Sequence, residues 1–132
     1  MGTIGQLGAR QIPEVNGTTN CDSGSEISDY ANCIQAMSQI LDFDTDTPCF
    51  GLAQNTCSTV TVGDCFAKVC NLREGPAVCM NTDEIKGGFL DNILMTCMFK
   101  RHYGWWSTAD MELAIVPTNS SMAIDQPDRP TI

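Results

Sequence analysis

Positive charge is scarce in this chain. Seven Lys and Arg stand against sixteen Asp and Glu, a formal charge of −9 over 132 residues. Phosphate backbones and anionic lipid need a basic patch, so the balance argues against nucleic acid or a membrane surface as partner. Imidazole is scarcer still: His102 is the only histidine. A Ser-His-Asp triad or a Cys/His zinc site would have that one residue to draw on, and no Gly-x-Ser-x-Gly elbow accompanies it. No two cysteines stand as Cys-x-x-Cys, the spacing of zinc knuckles and thioredoxin-type sites. No run approaches the ~20 apolar residues of a membrane span. Residues 1–20 hold no apolar run of the secretory kind, so the chain reads as a mature form with an added Met1. Gln6 stands where a myristoylation signal needs Ser or Thr. The expectation is a protein without metal or cofactor, and not an enzyme.

What the chain does have is sulfur. Cys21, Cys33, Cys49, Cys57, Cys65, Cys70, Cys79 and Cys97 make an even set of eight. Four disulfides in an oxidising compartment is the economical reading, which places the protein outside the cell. Each bridge contributes about 2–4 kcal/mol, so together they rival the roughly 5–15 kcal/mol of an ordinary domain. Connectivity stays open, since eight cysteines allow on the order of a hundred pairings. The triplets Asn16-Gly17-Thr18 and Asn119-Ser120-Ser121 are candidate glycosylation sites at Asn16 and Asn119. The protein is expected to be a monomer.

Three zones follow from composition. Residues 1–20 form a Gly- and Thr-rich arm without cysteine, 21–117 a disulfide-bonded α+β domain, and 118–132 a flexible polar tail. Ile27, Tyr30, Ala31, Ile34, Met37 and Leu41 recur at helical steps and predict a helix over Ser25–Leu41, with Ser23 and Glu26 as a capping box. Alternation predicts strands over Ser58–Val62 and Cys65–Leu72, with Gly63-Asp64 turning between them, and a short strand over Ala77–Met80 after Gly75-Pro76. A second helix is predicted over Asp83–Phe99, with Ile85, Phe89, Leu90, Ile93, Leu94 and Cys97 on its apolar face. Cap residues lie at Asn81 to Asp83, and Gly87-Gly88 marks close packing or a late start. Met111–Val116 is the last strand, ended by Pro117. Helices layered on one face of an antiparallel sheet follow from this order.

Few constellations carry chemistry. Asp42, Asp44 and Asp46 resemble the start of a calcium loop, but Thr47 and Ala53 occupy the positions that need Gly and a bidentate Glu. A solvated acidic loop is the better reading. His102 follows Lys100-Arg101 and reads as an exposed loop residue rather than a general base. Sixteen acids provide many pairs that a small secreted hydrolase would need, yet nothing selects one. The run Tyr103-Gly104-Trp105-Trp106 offers either a glycan-binding surface or a cap on the core, because adjacent residues of an extended chain face opposite sides.

Fifteen residues separate Cys33 from Cys49 and seven separate Cys49 from Cys57; a later strand reads Phe66-Ala67-Lys68-Val69-Cys70. A helical stretch ending Asn92-Ile93-Leu94-Met95-Thr96-Cys97 and a closing strand Leu113-Ala114-Ile115-Val116 complete the pattern over residues 21–117. This conjunction resembles the killer protein four type of toxin, virus-encoded in smut fungi, and its secreted fungal relatives. The resemblance implies an α/β sandwich with split β-α-β connections and a non-enzymatic toxin or virulence effector, the founding toxin acting against calcium entry. It maps an implicated lysine onto Lys68. The acidic balance, Cys65 and the Cys21-to-Cys33 spacing depart from that toxin and favour a secreted effector over a channel blocker. The expected partner is a host or competitor surface or membrane protein, met through Lys68, Tyr103, Trp105 and Trp106. The alternative is a glycan held by the aromatics.

Overall fold

Two stretches of period two, joined by Gly63-Asp64, sit at the heart of the architecture. The computed structural model describes residues 17–42, 49–73 and 79–127. In chain order the strands are β1 (Thr18–Glu26), β2 (Cys49–Gly51), β3 (Cys57–Val62), β4 (Cys65–Asn71), β5 (Cys79–Asn81), β6 (His102–Ser107) and β7 (Met111–Pro117). The helices are α1 (Tyr30–Ile40) and α2 (Thr82–Gly87). β3 and β4 form an antiparallel hairpin with Val62 opposite Cys65, and Gly63 takes φ +58° at the turn. Glycine adopts that left-handed conformation without a Cβ penalty.

The main sheet has the order β1-β6-β7-β4-β3, antiparallel throughout, while β2 and β5 pair as a separate ribbon. β4 is buried along its whole length and β7 from Met111 to Val116, which is why both read as near-continuous apolar runs. The chain passes from β4 through α2 to β6 with β7 between them, and from one sheet edge, β1, through α1 to the other, β3. The first of these is a split β-α-β connection of the kind expected; the second joins the two sheet edges across three strands.

One sheet face carries Cys65, Ala67, Val69, Trp106, Leu113 and Ile115. They share a core with Cys33, Ala36, Met37 and Ile40 of α1 and with Ile85, Phe89 and Ile93 of the second helical segment. α1 begins at Tyr30, not Ser25. Asp29 caps it by accepting from the Asn32 amide at 3.3 Å, and Ser23 and Glu26 lie in β1 instead of forming a capping box. Tertiary pairing overrides local preference here: β1 lies against β6 as an edge strand, kinked between Asp22 and Glu26, where Asp22 accepts from the Gly24 amide at 3.0 Å. Thr18 to Asn20, expected in a loose arm, are therefore strand; residues 1–16 fall outside the described residues.

The second helix is not one regular helix either. α2 gives way to a π-helical segment, Gly88–Leu94, and a 3₁₀ turn, Met98–Lys100, comes after it. The Asn81 cap is present, with Oδ1 accepting from the amides of Asp83 at 2.8 Å and Glu84 at 3.2 Å. At Gly88 a Cβ would come within 2.4 Å of Leu113 Cδ1 and 2.6 Å of Trp106 Cε3, so glycine allows the backbone to press onto the sheet. The wider π turn rotates the side chains beyond Gly88: Phe89 and Ile93 stay buried while Leu90 turns outward.

The tail also differs from expectation. Residues 118–127 fold back over the sheet face opposite the helices, where Met122 is buried with Phe66, Ala114 and Val116. The Thr118 amide donates to the Asp64 carbonyl at 3.1 Å. A sheet face with such apolar residues requires a cover, and Met122 supplies it. Residues 128–132 fall outside the described set.

Three disulfides clamp the layers. Cys21–Cys97 ties β1 to the end of the second helical segment, Cys33–Cys65 ties α1 to β4, and Cys57–Cys70 crosses the β3–β4 hairpin. None of the cysteines so described is free. The side chains of Cys49 and Cys79, in β2 and β5, lie outside the described set.

Candidate functional surface

Lys68, expected at the surface, is fully buried. It sits mid-strand in β4 on the face away from the helices, with its Nζ 3.0 Å from Glu112 Oε2 and donating to the Gln126 carbonyl at 2.9 Å. Register explains the pairing: Cys70 faces Glu112 and Lys68 faces Ala114 across β4 and β7, so lysine and glutamate meet on the diagonal. While residues 118–127 are docked, Lys68 is closed to a target.

The aromatic run is divided by its strand. Trp105 faces Ala114 and Trp106 faces Leu113, which puts the indoles on opposite sides of the sheet. Trp106 and Tyr103 are each 2% exposed, and a Cβ on Gly17 would come within 2.2 Å of Trp106 Nε1. Only Trp105 is half-exposed. The three rings therefore do not form the sugar-stacking platform that glycan binding would use. His102, expected in an exposed loop, is instead half-buried at the start of β6, with its Nδ1 buried and without a hydrogen-bond partner.

Tyr103 belongs to a polar lock instead. The Ser28 hydroxyl donates to Asp64 Oδ2 at 2.6 Å, fastening the β1–α1 turn to the β3–β4 hairpin. That bond, with help from Asn32, holds the Asp64 carboxyl below its usual range. The Tyr103 phenol is pushed above its ordinary value, chiefly by burial and then by the Asp64 charge.

Concavities open at the surface of the described residues. A cleft of about 420 Å³ gathers Asn71, Arg73, Asn81, Glu84 and Asp110 over Met80 and Met111. A larger groove of about 650 Å³ runs between α1 and the π segment, lined by Ile34, Met37, Leu41, Leu90 and Leu94, with Ser38, Gln39 and Asp42 on its border. Residues 88–99 expose Leu90, Met95 and Phe99 by 40%, 53% and 70%. α1 carries no charged residue, and residues 88–99 carry only Asp91. A solvent-facing helix surface normally carries charges, and this one is nearly uncharged, with apolar side chains exposed along residues 88–99.

Among the described residues no group of three His, Cys, Asp or Glu is placed to hold a metal ion. Asp42 is exposed beside the groove, whereas Asp44, Asp46 and Thr47 lie outside the described residues, as does Asn16. Asn119 is exposed in the turn after β7. No described helix is long and apolar enough to cross a membrane. The class defined by fold and surface is a disulfide-clamped α+β sandwich with an apolar helical face. No family model, characterised protein or solved structure matches the chain.

Proposed function

We propose that the protein is a secreted binding protein of the toxin and effector kind, acting on a host or competitor cell by occupying a target rather than by catalysis. The observation that carries this reading is the helical face, where Leu90 lines an apolar groove and Met95 and Phe99 stand exposed further along residues 88–99, on a disulfide-clamped scaffold. Rigid apolar anchors of this kind supply most of the energy of protein interfaces at low entropic cost. The chain's charge of −9 selects a basic partner: long-range attraction steers it in, and the uncharged face makes the contact. The target is accordingly a basic surface or membrane protein presenting an apolar side chain to the groove. Lys68 has no part in this contact, so the reading does not rest on channel block by an exposed lysine.

Fluorescently labelled full-length protein titrated onto intact host and competitor cells tests the proposal. Saturable binding that falls at least tenfold in Phe99→Asp and Leu90→Asp, and weakens with added salt, is the expected result. Variants that fold normally and bind cells as well as the parent would refute it.

A further inference from the structure

The hold of residues 118–127 on the sheet is built around a charge. Lys68 reaches Glu112 and the Gln126 carbonyl, and the strap closes both side chains off from water. Its other described attachments across to the sheet are few: the Thr118 amide on the Asp64 carbonyl, and Met122 seated among Phe66, Ala114 and Val116. Most of its remaining hydrogen bonds are local, as from the Ser120 amide to Pro117 and from the Ala123 amide to Ser120. None of residues 118–127 belongs to a helix or strand.

Closing the strap strips water from an ammonium and a carboxylate, which opposes the gain from burying Met122. Lifting it returns both charges to solvent. Closure is therefore set by a balance of opposing terms. The seat beneath has a definite chemistry: an apolar pocket for one side chain and, four residues further along, a lysine donor for a main-chain carbonyl. We propose that this seat is a second binding site, for a turn-forming peptide segment of a partner, and that the strap is its resident, displaceable occupant. An incoming peptide places a Met-like side chain where Met122 lies and offers a carbonyl to Lys68 in place of that of Gln126. Trp105, half-buried beside Met122, reports on occupancy. The site lies on the opposite side of the sheet from the helical groove and does not depend on it.

The test uses the full chain and a synthetic peptide with the sequence of residues 118–127. In Met122→Gly, amide exchange in the strap should accelerate at least tenfold, and the peptide should bind saturably with a change in Trp105 emission. Neutralising the pair with Lys68→Met/Glu112→Leu in an otherwise unaltered chain should slow strap exchange at least threefold, a direction that loss of a merely structural ion pair would not give. Amides of β4 and β7 report whether each variant keeps its sheet; if Met122→Gly does not, the neutral pair decides alone. Strap amides equally protected in a folded Met122→Gly, a peptide that fails to bind it, or unchanged or faster strap exchange in the neutral pair would overturn the proposal.

Discussion

Replacing Glu112 by Leu should be among the most damaging single substitutions in the sheet, and replacing Lys68 as well should repair it. Glu112→Leu leaves the Lys68 ammonium fully buried, still donating to the Gln126 carbonyl at 2.9 Å but without its carboxylate. Breaking a buried pair by removing one partner costs about 3–5 kcal/mol, because the other charge stays without compensation. The molecule has one escape, which is to lift residues 118–127 and let water reach Lys68. That forfeits the burial of Met122, about 1.5–3 kcal/mol, and a hydrogen bond from a charged group, about 1.5–3 kcal/mol. The cheaper route sets the loss, which is therefore about 3–5 kcal/mol. With a urea slope of about 2 kcal/mol per molar, the unfolding midpoint falls by roughly 1.5–2.5 M. Lys68→Met/Glu112→Leu removes both charges and fills similar volume, so it should return to within about 1 kcal/mol of the parent or exceed it. The assay is equilibrium urea unfolding of the oxidised proteins, followed by Trp fluorescence. A Glu112→Leu loss under about 0.5 kcal/mol, or a double variant no better than the single, would refute the reasoning.

Gly104→Ala should destabilise by about 1–3 kcal/mol through overpacking, since its Cβ would meet Cys97 Sγ at 2.6 Å, Cys97 Cβ at 2.8 Å and the Asn20 carbonyl at 3.1 Å; an unchanged urea midpoint would contradict this. Stability should also carry the signs of the polar lock. Asp64, held low first by the Ser28 hydroxyl, adds stability that is present above the ordinary carboxylate range and fades as pH falls through its lowered value, so Ser28→Ala should soften the acid limb. Tyr103, raised first by burial, adds stability that is present below about pH 10, the unperturbed phenol value, and fades as pH rises beyond it. Tyr103→Phe should flatten that alkaline decline, and a decline of the same depth in the variant would show that another group causes it.

The fold was legible where periodicity and burial agree. β3, β4 and β7 alternate or run apolar as a sheet requires, and Gly63-Asp64 turns where a two-residue hairpin needs a positive φ. β1 was hidden because Thr18–Glu26 is almost entirely polar; its place comes from β6 and from the Cys21–Cys97 bridge, neither of which leaves a local signal. The helical face was hidden by a change of period. On a 3.6-residue helix Leu90 and Leu94 fall on the buried stripe with Phe89 and Ile93, but the π segment beginning at Gly88 leaves Leu90 at the surface and Leu94 half-buried at the groove. Gly87-Gly88 was the available sign, and it pointed to close packing without giving the shift. Lys68 misled because a lysine in a strand ordinarily faces water; only its diagonal with Glu112 and the cover from residues 118–127 explain its burial. The tail itself carried one clue, the apolar run Met122-Ala123-Ile124 amid polar residues.

Everything proposed for the surface depends on a scaffold clamped by sulfur. Proteolytic peptide mapping of the unreduced protein, with alkylation before digestion, tests that directly. The expected result is three linked pairs, Cys21 with Cys97, Cys33 with Cys65 and Cys57 with Cys70, and no alkylation at any of these six positions. Alkylated Cys33 or Cys65, or a bridge joining any of the six to a different partner, would contradict the layered clamp and the surfaces it holds in place.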